Sequence, residues 1–126
     1  MAELIFEGIL VSGLGEGAYF LSMEHYKGEI KKKLGFEAYP GTLNIKIEGS
    51  SISLNKLVPV RLSGFRSGNK EFGGASCYHG KILDIAGAVI IPDVNKHGED
   101  IVEFIAPVFL RSKLKDGDAV KLIVKV

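Results

Sequence analysis

The chain has little cysteine, no long apolar run and almost no net charge, and each shortage excludes a class of protein. Cys77 is the only cysteine among 126 residues, so an internal disulfide is impossible. No apolar run reaches the roughly 20 residues of a membrane-spanning helix. The formal net charge of +1 gives no general basis for binding nucleic acid or a membrane surface. We therefore expect a soluble protein with neither nucleic-acid nor membrane partners.

Signals for export and for several catalytic centres are also missing. The segment MAELIFEGIL carries acidic residues where a signal peptide requires basic ones, which favours a cytoplasmic location. His25, His79 and His97 have no metal-type spacing to one another or to Cys77, which we interpret as a small core residue. Neither a Walker phosphate loop nor a Ser-His-Asp arrangement is found, so the common nucleotide and hydrolase motifs are excluded.

Glycine is the residue in excess, with 16 copies that cluster between apolar runs. Glycine permits tight turns and close backbone approach, so this distribution is typical of short strands joined by turns. With 126 residues, 46% of them hydrophobic, the chain is long enough to bury its own core. We interpret residues 1–126 as one domain.

Apolar alternation predicts strands over most of the chain. In LNIKI, Leu43, Ile45 and Ile47 alternate with polar residues, which is the two-residue period of a strand. Further strands are predicted over residues 4–11, 58–62, 76–83 and 101–105, over GAVIIP, and over AVKLIVKV after a turn at Asp116 and Gly117. So many short strands favour an all-β fold with one or two short helices, closed into a small barrel because closure removes exposed edges.

The helical signals are fewer. In SMEHYKGEIKKKLG, apolar residues recur at spacings of three and four, with Ser22 as the predicted N-cap and Gly35 as the stop. Gly28 lowers the helix propensity inside this segment. A second short helix is predicted within residues 107–114, whereas residues 18–21 are predicted to be extended.

SGLGEGAYF forms a glycine-rich loop. Gly13, Gly15 and Ala18 match the spacing of the dinucleotide fingerprint, but that fingerprint requires a helix directly after it and a run of βαβ units. Neither is predicted here. Two interpretations remain: a flexible hairpin turn, or a nest of backbone N–H groups that binds an anion such as phosphate.

Thr42 and Asn44 are neutral oxygen-bearing residues on one face of the strand in YPGTLNIKI. Side chains at i and i+2 of a strand lie about 6.5–7 Å apart on the same face, so both oxygens can converge on one cation. Hydroxyl and amide oxygens suit Mg²⁺, and an uncharged pair holds it poorly until phosphate oxygens complete its coordination. This predicts a metal that arrives with a nucleotide. The alternative is a polar pair that faces water.

Glu103 and Arg111 lie in VEFIAPVFLRSKL. A glutamate within an apolar strand either faces solvent or accepts a hydrogen bond from a buried group. Arg111 either contacts a phosphate or forms a salt bridge that caps the barrel. The sequence leaves both pairs of alternatives open.

Four segments, SGLGEGAYF, LGFEAYPGTLNIKI, VEFIAPVFLR and LKDGDAVKL, together resemble the archaeal CTP-dependent riboflavin kinases, in the same order and over nearly the whole chain. GTLN is the most specific of these motifs. The resemblance implies a six-stranded cradle-loop (riboflavin-kinase-like) barrel that transfers the terminal phosphate of CTP to the 5′-hydroxyl of riboflavin. Its ligands would be CTP or CDP, riboflavin or FMN, and Mg²⁺. We expect a monomer.

The resemblance also implies roles for individual residues. Thr42 and Asn44 would bind Mg²⁺, and Glu103 would contact the flavin and is our candidate for the catalytic base. Asn95 occupies the position at which the family often has a flavin-contacting threonine. Two segments would bind the nucleotide: Gly13, Leu14, Gly15, Glu16, Gly17 and Ala18 in the glycine loop, and Phe109, Leu110, Arg111 and Ser112 after the glutamate-bearing strand.

Two other functions remain open. LKDGDAVKLIVKV also resembles the swapped-hairpin barrels of transition-state DNA-binding regulators, although a net charge of +1 gives little support for a DNA-binding face. The second alternative is a flavin- or nucleotide-binding protein without turnover, and the presence of both candidate metal ligands argues against it.

Overall fold

The computed structural model of the chain describes residues 3–12, 17–48, 54, 57–93 and 100–125. Its strands are β1 (Glu3–Val11), β2 (Leu43–Ile47), β3 (Val60–Leu62), β4 (Phe65–Ser67), β5 (Lys70–Phe72), β6 (Ala75–Ile82), β7 (Ile85–Pro92), β8 (Ile101–Ile105) and β9 (Ala119–Lys125). Its helices are α1 (Gly17–Leu21), α2 (Glu24–Leu34) and a short 3-10 helix (Leu110–Ser112).

Six antiparallel strands close into a barrel in the order β6-β7-β8-β2-β1-β9. The seam lies between β6 and β9, where Gly80 is opposite Val124 and Lys81 is opposite Ile123. The same edge of β6 pairs with two strands: its first residues pair with β3, and its later residues pair with β9. β4 and β5 form a separate hairpin. The prediction of a mostly-β barrel with short helices is confirmed.

The inward-facing side chains of the strands fill the barrel. Leu10, Ile45, Phe104, Leu122 and Val124 are fully buried there and belong to one apolar cluster. Their burial stabilises the fold by about 1.5–3 kcal/mol for each large side chain. The alternation predicted for LNIKI is therefore the pattern that places β2 in the wall of the barrel.

A second apolar cluster lies between the outside of the barrel and α2. Ile30 and Leu34 of α2 belong to it together with Leu62, Cys77 and Ile105. Cys77 has 0% exposed surface, and burial raises the pKa of its thiol to about 12. It is a core residue, as predicted.

The predicted helix over SMEHYKGEIKKKLG is confirmed as α2, but it begins differently. Met23 is the N-cap, whereas the hydroxyl of Ser22 donates to the carbonyl of Tyr19 at 2.8 Å. The helix ends as predicted, because Gly35 has φ +86° and its N–H donates to the last turn. That left-handed conformation favours glycine, which has no Cβ.

Two short elements differ from the sequence predictions. The prediction of an extended segment over residues 18–21 is wrong, because Gly17–Leu21 is helical. Leu21 is buried in the outer cluster, and the ring of Phe20 packs against Phe72 with centroids 6.2 Å apart. The β4–β5 hairpin was not predicted. In both segments the packing decides the local conformation, since three to five residues are too few to show a period.

Candidate functional site

The outward faces of β2 and β8 bring three of the predicted site residues together. The strands are antiparallel neighbours, with Asn44 opposite Glu103 and Leu43 opposite Phe104. Leu43 and Phe104 belong to the barrel core, so Asn44 and Glu103, one residue along, lie on the outer face. Thr42 directly precedes β2, and its side chain reaches this same face.

The hydroxyl of Thr42 donates a 2.9 Å hydrogen bond to Oε1 of Glu103, and the contact is partly buried. A hydroxyl has one hydrogen and two lone pairs, so the Thr42 oxygen still has lone pairs that a cation can use. The same bond restricts the orientation of the carboxylate. Of the two alternatives for Glu103, the hydrogen bond from a partly buried group is the one observed.

Asn44 is 5% exposed and is the one buried polar side chain in the described ranges. Its Oδ1 atom has no hydrogen-bond partner among those residues. A buried polar atom without a partner costs about 1–3 kcal/mol. For Asn44 the alternative of a residue that faces water is therefore wrong. A buried, unpartnered oxygen is typical of a site completed by an ion or ligand.

The oxygen atoms on this face suit Mg²⁺. Thr42 supplies a hydroxyl oxygen, Asn44 supplies an amide oxygen without a partner, and Glu103 places a carboxylate beside them. All three are hard oxygen donors of the kind that Mg²⁺ prefers. In the described part of the chain, no three His, Cys, Asp or Glu residues form a group that could hold a metal ion. A metal here would draw on these few oxygens and on oxygens brought by a substrate.

A cavity of about 120 Å³ lies next to Thr42, between residues 39–43 and residues 104–111, and neither Asn44 nor Glu103 is among its lining residues. Thr42, Phe109, Leu110 and Arg111 all contribute to its lining. The structure thus brings a predicted metal ligand and three residues of the predicted nucleotide segment to one cavity.

Tyr39 lines the same cavity and was not singled out from the sequence. Its ring centroid lies 5.0 Å from that of Phe109, and the ring planes are 30° apart. The backbone N–H of Tyr39 donates to the carbonyl of Ala106 at 2.8 Å, which fixes the segment before β2 against the one after β8. The available signal was its position three residues before Thr42 in YPGT.

Arg111 forms a salt bridge near the end of β1. Its Nη1 atom lies 2.7 Å from Oδ1 of Asp116, whose Oδ2 accepts a 2.5 Å hydrogen bond from the hydroxyl of Ser12. The bond from Ser12 and then that from Arg111 lower the pKa of the Asp116 carboxyl. The salt-bridge alternative for Arg111 is therefore observed. It joins Ser12, directly before the glycine loop, to the 3-10 helix.

The other predicted ligands fall into two groups. Gly17 and Ala18 begin α1, and the hydroxyl of Ser112 donates to the carbonyl of Phe109 within its own turn. Outside the described residues lie Gly13, Leu14, Gly15, Glu16 and Asn95. The ligand roles of both groups stay predictions.

Comparison with known proteins identifies the family. Residues 10–124 match the family model CTP-dep_RFKase, which carries the description "Domain of unknown function DUF120". The chain belongs to the CTP-dependent riboflavin kinase family. The family expected from the four motifs is thereby confirmed.

Curated relatives from archaea agree with this family. A protein of Pyrobaculum calidifontis named riboflavin kinase is 42% identical over 97% of this chain and 60% of its own length. Riboflavin kinases of Methanosarcina acetivorans and Methanosarcina mazei are 42% and 44% identical, over 94% and 90% of this chain. The chain spans only 53% of the length of each of these two relatives. Within the described ranges, no helix has both the length and the apolar character needed to cross a membrane.

Proposed function

We propose that this domain is a riboflavin kinase that transfers the terminal phosphate of CTP to the 5′-hydroxyl of riboflavin and releases FMN and CDP, with Mg²⁺ as its metal. Membership of the family and the names of the relatives support this reaction. The observation that carries the proposal is the buried Oδ1 atom of Asn44, without a partner in the described structure and next to Thr42 and Glu103. An apolar side chain would fill the same space at a lower cost, so packing does not account for an asparagine there.

Thr42 and Asn44 would hold the metal through their side-chain oxygens. When bound, Mg²⁺ neutralises charge on the phosphates of the nucleotide. Because Thr42 uses its hydrogen in the bond to Glu103, its oxygen presents lone pairs and not a proton to the site.

Glu103 would orient the 5′-hydroxyl of riboflavin and accept its proton. The hydroxyl oxygen forms a bond to the terminal phosphorus of CTP while the bond from that phosphorus to the CDP oxygen breaks. A carboxylate held by the Thr42 hydroxyl is restricted in its rotation, which favours a defined direction for proton transfer. Asn95 would contribute a second contact to the flavin.

The nucleotide would be bound by two segments that the Arg111–Asp116–Ser12 contacts connect. Residues 13–18 would offer successive backbone N–H groups to the phosphates. The second segment, Phe109, Leu110, Arg111 and Ser112, would complete the site from the other side of the cavity.

A direct assay tests the proposal. The purified domain is incubated with riboflavin, Mg²⁺ and either CTP or ATP, and FMN is measured by chromatography with fluorescence detection. We expect FMN with CTP and far less with ATP. Absence of FMN with both nucleotides would refute the kinase.

The ligand assignment has its own test. A Thr42→Ala, Asn44→Ala double variant should keep its circular dichroism spectrum and lose turnover. Lys46→Gln, an exposed position two residues further along β2, serves as the control and should keep activity. Unchanged turnover in the double variant would remove Thr42 and Asn44 from the metal site.

We further propose that residues 1–126 act as a single domain, as a monomer in the cytoplasm. The length of the chain fits one domain, and its single, buried cysteine fits a reducing compartment such as the cytoplasm. Light scattering after gel filtration measures the mass, and a dimer at micromolar concentration would refute the monomer.

A further inference from the structure

We propose that Tyr39, paired with Phe109, stacks against the base of the bound nucleotide; this inference rests on the CTP site proposed above. Tyr39 is 43% exposed and Phe109 is 48% exposed, so both rings present much of their surface to solvent while they contact each other. Exposed aromatic rings that are grouped at a cavity are typical of binding sites for planar ligands, because every base has a π-face that can stack.

The position of the pair fits a nucleotide whose phosphates lie at Thr42. Both rings line the cavity to which Thr42 and Arg111 also contribute. Tyr39 precedes Thr42 by three residues, and three residues of extended chain span at most about 10 Å. The sugar and phosphates of one nucleotide can bridge that distance, so a single ligand can reach the ring pair and the oxygen atoms on β2.

The surroundings favour the base over the flavin. Glu103, the residue proposed to contact the flavin, does not line this cavity. One ring of the pair, Phe109, belongs to the segment proposed for the nucleotide. The backbone hydrogen bond from Tyr39 to Ala106 fixes the main chain of Tyr39, and the contact with Phe109 orients its ring, so the stacking surface is formed before the ligand arrives.

Two variants of Tyr39 separate the contribution of its aromatic ring from that of its hydroxyl and of its apolar bulk. Tyr39→Leu keeps an apolar side chain without a π-face, and Tyr39→Phe keeps the ring without its hydroxyl. Binding of CDP, pyrophosphate and riboflavin to each protein is measured by titration calorimetry, with thermal unfolding as the control for folding. Pyrophosphate occupies the phosphate site without a base, so it separates the two halves of the ligand.

We expect Tyr39→Leu to weaken CDP binding about tenfold, the effect of losing one stacked base, and to leave pyrophosphate and riboflavin binding unchanged. Tyr39→Phe should bind CDP within about twofold of the parent protein, because the ring is retained. In turnover, Tyr39→Leu should raise the KM for CTP by the same factor and leave kcat and the KM for riboflavin unchanged.

The other outcomes overturn the inference in distinguishable ways. Equal binding of CDP by the parent protein and by Tyr39→Leu refutes the stacking role and leaves the kinase proposal intact. A loss of riboflavin binding instead would assign the ring to the flavin. Equal weakening of CDP and pyrophosphate would make Tyr39 a part of the phosphate site. If the parent protein does not bind CDP, the nucleotide site itself fails and the inference fails with it.

Discussion

Asn44 and Glu103 lie directly opposite each other on the antiparallel strands β2 and β8, and both are on the outer face of the barrel. Asn44 contributes a buried amide oxygen that has no partner in the described structure. Glu103 contributes a carboxylate that accepts a hydrogen bond from the hydroxyl of Thr42. A destabilising oxygen at this place is expected where function, and not packing, selects the residue.

Replacement of Asn44 by leucine should separate stability from activity. The variant loses a buried unsatisfied oxygen, so its free energy of unfolding should stay equal or rise by about 1–2 kcal/mol. FMN formation should fall about 100-fold or more because the proposed metal ligand is lost. Urea unfolding and the FMN assay measure the two effects, with Lys46→Leu as the control on the same strand. A variant that loses stability together with activity would contradict this explanation.

Glu103→Gln should lower kcat by about 10²–10⁴ because the proposed proton acceptor is removed. The amide oxygen of glutamine can still accept the hydrogen bond from Thr42, so the unfolding temperature should change little. Steady-state kinetics with both substrates provide the measurement. Thr42→Ser, which keeps the hydroxyl, is the matched control and should retain most of the activity. A Glu103→Gln enzyme with normal kcat would rule out Glu103 as the base.

Asp116→Ala should weaken CTP binding and spare riboflavin. The change removes the carboxylate that holds both Arg111 and Ser12, so the two segments proposed to bind the nucleotide are no longer connected. A partly exposed bridge of this kind contributes up to about 1 kcal/mol, so we expect the KM for CTP to rise about fivefold or less. Glu71→Ala breaks the exposed bridge to Arg66 in the β4–β5 hairpin and is the control. Equal effects of the two variants on the KM for CTP would argue against a connecting role.

Glu29 should make the stability of the domain depend on acid pH. One carboxylate oxygen accepts hydrogen bonds from the hydroxyl and backbone N–H of Ser63, both at 2.7 Å, and from Lys33 at 2.9 Å. The Ser63 hydroxyl first, and then Lys33, lower the pKa of Glu29 from 4.5 to about 2. The folded state therefore holds the charged form more strongly than the unfolded state does. This stabilisation is present above the unfolded pKa and is lost as the pH falls through the folded pKa.

The measurement is the unfolding temperature of the parent protein and of Glu29→Gln between about pH 7 and pH 2. The difference between them should be largest above about pH 4.5 and should shrink towards about pH 2. Glu37→Gln, in an exposed pair with Lys31, is the control and should follow the parent protein. A constant difference over the whole range would show that Glu29 acts by packing and not by charge.

Two glycine-to-alanine substitutions should have opposite effects. Gly28 lies within α2 with no atom close to where a Cβ would stand, so Gly28→Ala should raise stability by about 0.5–1 kcal/mol. A Cβ on Gly87 would collide with the carbonyl oxygen of Ile105 and would lie 2.8 Å from Cζ of Phe104. Gly87→Ala should therefore destabilise the barrel by about 2 kcal/mol or more. Urea unfolding checks both, and a neutral Gly87→Ala would mean that β7 and β8 can separate without penalty.

The longer elements could be predicted from local pattern, and the shortest could not. β8 occupies residues 101–105, as predicted, because an apolar strand bounded by loop residues has a clear signal. α1 has five residues and no period, so its helical form depends on contacts such as the one between Phe20 and Phe72. Sequence patterns describe such contacts poorly because they join distant parts of the chain.

In the candidate site, too, local sequence pattern predicts some features, whereas others depend on contacts between distant residues. The two-residue period of a strand predicts that Thr42 and Asn44 share a face, but it carries no information on what covers that face. The burial of Asn44 was therefore not foreseen. The hydrogen bond from Thr42 to Glu103 joins residues that are 61 positions apart, and it depends on the pairing of β2 with β8. No local pattern specifies that pairing.

The pairing of β1 with β9 determines when the domain can become active during synthesis. The contact runs from Glu3 opposite Lys125 to Ile9 opposite Ala119. β1 is synthesised before the other described strands and β9 after them, so this pairing cannot form until β9 has been made. On the ribosome, β1 keeps one edge unsatisfied until β9 has emerged. We therefore expect nascent chains without β9 to bind no nucleotide, because the barrel that carries Thr42 and Asn44 is closed only when β9 pairs with β1 and β6.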